Sequence, residues 1–199
     1  MNELDYKNLI FFDLETSGLD FNKHEIIQIS AIDAATGDTF NELVDFDIER
    51  ATEEALEGNH FDEELWNEKA LPQDEAAEKF ADFLRKHASL EFESKKGKKY
   101  KLAVLAGYNV VGFDKFFISN FFSKLKIFMP ADYRMFDIYQ LALWKYPGLQ
   151  KYSLGDICNH IGIETGELHD ALEDVRATMK VARAILSEPL VFAPINWSE

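Results

Sequence analysis

The sequence predicts an α/β domain, a mixed five-stranded sheet flanked by helices, on three observations. Apolar strand patterns come first and close together, at Leu9–Phe12, Glu25–Ile32 and Phe40–Phe46, with a tight turn at Thr36-Gly37-Asp38; this reads as an antiparallel three-strand start. Strand and helix patterns then alternate, which fits helices packed on the faces of a sheet that is no longer purely antiparallel. The chain has 199 residues, 47% of them hydrophobic, with seventeen Phe, enough for one sizeable core and too little for two ordinary domains.

After the third strand, Ile48 to Ala88 is acidic and helical. Ala76, Phe80, Phe83, Leu84 and His87 recur there at helical spacing, so a helix covers one sheet face. Ser89 to Lys101 interrupts with the basic turn Lys95-Lys96-Gly97-Lys98-Lys99-Tyr100-Lys101, before Leu102–Ala106 resumes as a buried strand followed by Gly107-Tyr108-Asn109. The next helix carries Phe113, Phe117 and Phe121 and is ended by Pro130. Tyr133–Asp137 supplies the fifth strand, and helices around Ile138–Trp144, Leu154–Ile161 and His169–Leu186 complete the domain. Residues 1–186 thus form one domain. Residues 187–199, with two prolines and several apolar side chains, form a tail that packs back or meets a partner. Cys158 lies on the apolar stripe Leu154, Ile157, Cys158, Ile161 and reads as a small core residue; as the only cysteine it makes no internal disulfide. The Phe stripe reads as core, and His24, His60, His87 and His160 as surface or capping residues.

Charge narrows the function. A net charge of −15 opposes any general attraction to nucleic acid or to acidic membranes, both polyanions. A polyanionic substrate then needs local help, from bound divalent cations or clustered lysines. No apolar run reaches the length of a membrane span, and Met1-Asn2-Glu3-Leu4-Asp5 lacks the basic start of a signal peptide, so a soluble, cytoplasmic protein without membrane contact is expected.

Chemistry enters where acids fall at the edges of buried surfaces. Asp13 and Glu15 follow the apolar run Leu9-Ile10-Phe11-Phe12; on a strand they share one face, roughly 7 Å apart, and repel unless a cation lies between them. In the last helix Asp174 falls within the apolar stripe Ala171, Val175, Thr178, Ala182, Ile185, while Asp170 and Glu173 fall opposite. Asp114 stands one turn before Phe117 and Ile118, near a helix N-terminus that suits an anion. Charges are almost never buried unpaired, so Asp13, Glu15, Asp114 and Asp174 need a common cation. An all-oxygen set selects magnesium or manganese over zinc, and two such ions held by carboxylates form a known device for attack of water on a phosphodiester. His169, at the helix start five residues before Asp174, can take the proton from that water.

Phe12-Asp13-Leu14-Glu15-Thr16, Asn109-Val110-Val111-Gly112-Phe113-Asp114 and His169-Asp170-Ala171-Leu172-Glu173-Asp174 resemble, in order, the three motifs of the DEDDh exonuclease family, which includes the proofreading subunit of bacterial replicative polymerase, ribonuclease T and oligoribonuclease. The resemblance spans roughly residues 8 to 186. It implies a ribonuclease H-like sheet with helices on both faces, two magnesium or manganese ions per site, and release of 5′-mononucleotides from a 3′ end, most simply a single-stranded one. Carried over, Asp13, Glu15, Asp114 and Asp174 are the metal-site acids and His169 the general base. Thr16-Ser17-Gly18-Leu19 matches the family's turn: Thr16, Gly18 and Asn109 fall among the substrate-binding positions, and Leu19 is either a wedge against the terminal base or a buried turn residue. The lysines around Gly97 are either a solvated turn or phosphate contacts leaning over the cleft. Two rival functions stand beside a stand-alone exonuclease: a proofreading module that meets a polymerase through Phe192 and Trp197 of the tail, and a silent binder, which would have no reason to keep five costly groups. The motifs leave DNA and RNA both open as substrates.

Overall fold

The computed structural model describes residues 6–165 and 170–187. Five segments form its main sheet: β1 (Leu9–Thr16), β2 (Ile26–Asp33), β3 (Thr39–Leu43), β6 (Val104–Gly107) and β7 (Phe136–Asp137), in the order β3-β2-β1-β6-β7. The first three strands pair antiparallel, the second and third through the short turn at Gly37, whereas β6 joins β1 in parallel with Leu9 beside Val104 and Phe11 beside Ala106. β7 extends the parallel half. The expected ribonuclease H-like architecture, a mixed five-stranded sheet with helices on both faces, is the one observed.

Alternation along β1 divides the interior. Ile10, Phe12 and Leu14 enter a core shared with Phe80 and Leu84 of α3 (Gln73–Lys86) and Ile118 of α4 (Asp114–Leu125). Leu9 and Phe11 enter a second core with Ile138 of α5 (Ile138–Lys145), Ile157 and Cys158 of α6 (Leu154–Ile161), and Val175, Val181 and Ile185 of α7 (Ala171–Ser187). Phe80, fully buried against Phe40, Phe83 and Phe122, is typical, and burying one such side chain contributes about 1.5–3 kcal/mol. Cys158 is a buried free thiol, as expected.

Several boundaries differ from the expected ones. The acidic stretch from Ile48 to Ala88 is three helices: α1 (Glu53–Gly58), α2 (Glu63–Lys69) and α3. Thr52 and Asp62 restart the helix by accepting the N–H of Ala55 and Leu65, and Pro72 opens α3, since side-chain acceptors and proline both favour a helix start over a helix interior. The core ring of Trp66 apart, α1 and α2 form an outer acidic lobe. α4 stops at Leu125, where Lys126 turns left-handed (φ 58°), before Pro130 can act. The fifth strand is only Phe136–Asp137, because Arg134 folds back on the buried Asp132. The basic stretch is the tip of a separate hairpin, β4 (Leu90–Glu93) with β5 (Lys99–Leu102). α7 runs through Ser187, one residue into the segment expected as tail. Among the described residues no helix is long and apolar enough to cross a membrane.

Candidate active site

The alternation that sends Leu9 and Phe11 toward α7 sends Asp13 and Glu15 the same way, at the C-terminal end of β1. Gly107 makes that end possible: a Cβ there would stand 2.6 Å from the carbonyl oxygen of Phe12 and 2.2 Å from Val110, so only glycine lets β6 turn this close to β1. The chain then bends through Asn109, left-handed at φ 61°, into α4, whose first residue is the buried Asp114. Asp174 arrives on the first turn of α7, with Asp170 capping that helix by accepting the N–H of Leu172 and Glu173.

These acids feel one another. Burial first, and then the charges of Asp114, Glu15 and Asp174, hold the Asp13 carboxyl well above the usual carboxylate range. Burial and the charges of Asp174, Asp114 and Asp170 push Glu15 up to about 8. Burial pushes Asp114 up to about 7, against the pull of backbone N–H groups that include that of Leu14, between the two β1 acids. Three separate elements therefore deliver four carboxylates to one end of the sheet. Asp170, expected on the far side of α7, also reaches Glu15 with its field because it caps the helix end.

Such a site is built for cationic charge. Among the described residues no three His, Cys, Asp or Glu groups close into a ready-made metal sphere; magnesium does not require one, since it takes one or two carboxylates and completes its sphere with water and phosphate oxygens. The donor set, carboxylates that raise one another's pKa, fits a hard divalent ion. His169 lies outside the described residues.

The expected substrate positions lie on the turn after β1 and at the bend before α4. Thr16 is buried and donates its hydroxyl to the carbonyl of Gly18 at 2.9 Å. The turn is pinned by Ser17 and Glu25, which exchange hydrogen bonds at 2.9 Å, and by Asn59, whose Nδ2 donates to the Thr16 carbonyl at 2.9 Å. Gly18 has no room for a Cβ, which would stand 2.6 Å from the His24 ring, and His24 Nδ1 accepts the N–H of Asp20. Leu19 is 84% exposed, which removes the buried-turn reading. Asn109 is exposed beside a cavity of about 550 Å³ walled by Tyr108, Tyr139, Tyr152 and Lys151.

One residue was not singled out from the sequence. Asp137, nearly buried at the end of β7, accepts the N–H groups of Asn109 (3.0 Å), Val111 (3.1 Å) and Tyr139 (3.0 Å), and so fixes the bend that aims Asp114. Its signal was an Asp immediately before an apolar helix, a capping pattern. The lysine hairpin is the opposite case. The register sets Val104 beside Leu9, so the hairpin enters at the end of β1 away from Glu15, about 20 Å of strand distant, and does not lean over the carboxylates.

The sheet order and the helices on its faces define a ribonuclease H-like fold. Residues 98–182 match the family model described as exonuclease, of the RNase T kind. DNA polymerase III subunit epsilon of Aquifex aeolicus (strain VF5) is 43% identical over 49 residues, 25% of this chain and 24% of that one. Among solved structures, Escherichia coli exonuclease I in complex with a dA16 oligonucleotide superimposes with a TM-score of 0.70 at 18% identity, over 90% of this chain and 40% of that one. The zinc-bound form of the E. coli exonuclease I complex with single-stranded DNA gives the same TM-score, identity and coverage. The chain thus spans well under half the length of these proteins. In motifs, family match and fold it resembles the DEDDh 3′–5′ exonucleases.

Proposed function

We propose that this chain is a metal-dependent 3′–5′ exonuclease that removes 5′-mononucleotides from the 3′ end of single-stranded DNA or RNA. The observation that carries the reading is the cluster of Asp13, Glu15, Asp114 and Asp174, three of them raised above the carboxylate range by burial and, for the β1 pair, by the charges of Asp114 and Asp174 as well. These four would hold two magnesium or manganese ions, whose chemistry is to polarise the scissile phosphate and to offset charge on the oxygens that attack and leave. His169, directly before the α7 cap, takes the proton as the water oxygen bonds to phosphorus and the bond from phosphorus to the 3′ oxygen breaks; solvent protonates the leaving oxygen. Thr16, Gly18 and Asn109 orient the terminal nucleotide, and the exposed Leu19 lies against its base. Residues 1–186 act as the exonuclease domain, in the cytoplasm. The likeness to a polymerase subunit favours one second reading, in which residues 187–199, outside the described part from 188 onward, meet a polymerase or another protein through Phe192 and Trp197.

The test uses matched 5′-labelled DNA and RNA oligomers, single- and double-stranded, with magnesium, manganese or chelator. Stepwise shortening that needs metal, is blocked by a 3′-phosphate, and slows about 10²- to 10⁴-fold in His169→Ala is the expected result. Early internal fragments, or digestion unaffected by chelator, would overturn it.

A further inference from the structure

A second cavity, of about 320 Å³, opens between α2 and the segment after β3, away from the carboxylates. Its walls are aromatic. The rings of Phe46 and Phe61 meet edge to face at 5.5 Å, Phe61 tilts against Trp66 at 5.1 Å, and Ile48 stands 48% exposed at the rim. Trp66 is the rigid floor, its indole N–H donating to the Ile27 carbonyl at 3.2 Å. Phe46 and Phe61 are only half-buried, so part of each ring remains open to a guest.

Two carboxylates, Asp45 and Glu63, line the same cavity. Both are exposed, and among the described residues neither makes an ion pair or a side-chain hydrogen bond. Their surroundings amplify their charge: from Asp45 to Glu75 the chain carries twelve Asp or Glu against only Arg50 and Lys69, two thirds of the molecule's net −15. Arg50 is already paired with Glu25 at 3.0 Å. An apolar guest would leave the acids unused, and a nucleic-acid strand would be repelled. A guest with an aliphatic stem and a cationic head satisfies both features, the stem on Ile48 and the rings, the head over the ring faces and between the acids.

We infer that this acidic aromatic pocket is a docking site for a lysine or arginine side chain carried on a basic segment of a partner protein. The lobe is tied to the catalytic turn through Asn59 and the Thr16 carbonyl, so the partner would sit beside the cleft without entering it. The site is independent of the exonuclease reading.

The probe is an N-acetylated hexa-arginine amide titrated into the full chain, read by the Trp66 indole N–H resonance, which is assigned with Trp66→Phe. A saturable shift of that resonance is expected, with affinity falling about tenfold in Phe61→Leu, which keeps an apolar side chain and removes the ring. Asp45→Asn with Glu63→Gln should weaken binding about tenfold, while the charge-matched pair Glu53→Gln with Glu54→Gln on α1 changes it less than about twofold. Equal losses from the two charge pairs, or an unchanged affinity in Phe61→Leu, would reduce the effect to general counterion attraction and overturn the proposal. Should Phe61→Leu not fold, Glu63→Gln alone, at an exposed position, decides by the same comparison with Glu53→Gln. Spermidine producing the same Trp66 shift at equal charge concentration would instead mark a small-polyamine site and overturn the protein-partner assignment.

Discussion

Asp13 and Glu15 occupy positions that the alternation of β1 reserves for core residues, and the raised carboxyls are the cost of that placement. Without a cation the folded chain keeps protons on Asp13, Glu15 (pushed up to about 8) and Asp114 (up to about 7) that the unfolded chain, with carboxyls near 4, has released. Between about pH 4 and 8 the unfolded state therefore binds fewer protons, so stability falls as pH rises through that window. Calorimetry in chelator should show Tm declining from pH 5 to pH 8, and magnesium should raise Tm more at pH 8 than at pH 5. Asp13→Asn should flatten the decline while lowering kcat by at least about 10³-fold. A metal-free Tm that climbs over the same range would contradict the clustering of these acids.

At the scale of elements, the bend between β6 and α4 is held from outside by Asp137. Asp137→Ala leaves three N–H groups without their acceptor, each worth about 1 kcal/mol or more when buried. It should lower Tm, reduce kcat about tenfold or more because Asp114 loses its aim, and raise KM because Asn109 loses the same support; steady-state kinetics on a short single strand would show both constants unchanged if the bend held itself. The lysine hairpin gives the converse expectation. Replacing Lys95, Lys96, Lys98 and Lys99 with Ser should leave the salt dependence of KM unaltered on strands too short to span β1, whereas a lysine that did pair with a phosphate of such a strand would contribute about 0.7 to the slope.

The same elements show what the sequence made legible. Strand alternation and helix periodicity are local, so β1, β2, α3, α7 and the faces carrying Asp13, Glu15 and Asp174 could be read directly from Leu9–Glu15 and Ala171–Ile185. The place of the lysine run could not. It depends on whether β6 lies parallel or antiparallel to β1, a pairing between residues nearly a hundred positions apart, and only the parallel choice carries the hairpin away from the acids. The breaks at Asn59 and Leu71 are hidden for a different reason: an acidic, alanine-containing stretch keeps its helical composition through a cap, and Asp62 becomes decisive only once its side chain turns back on the N–H of Leu65, as Pro72 does only once it opens α3. Asp137 was legible as a helix cap; its second duty, on Asn109 and Val111, exists only in three dimensions.

Across the whole molecule, the two cores meet along β1, and the acids are delivered from both sides of that seam, Asp114 from the α3–α4 layer and Asp174 from the α5–α7 layer. The acidic lobe of α1 and α2 adds its charge at the same end, next to Thr16 and Ser17. Magnesium should accordingly be concentrated there by long-range attraction as well as by direct ligation. The magnesium concentration for half-maximal activity should rise several-fold between about 50 and 200 mM potassium chloride as screening shortens that reach; an unchanged midpoint would mean that only the ligating carboxylates matter.

With five lysines gathered at the hairpin and the carboxylates at the other end of β1, the molecule has a permanent dipole along its central strand. In the field of a long polyanion this dipole experiences a torque that turns the hairpin forward and the cleft to the rear. Under the proposed function, encounter with a strand then begins in the wrong orientation, and productive binding would wait on a rotation against the field. Stopped-flow association with a long single strand should therefore quicken as salt is added at the low end of the range, the reverse of the slowing that electrostatically steered binders show.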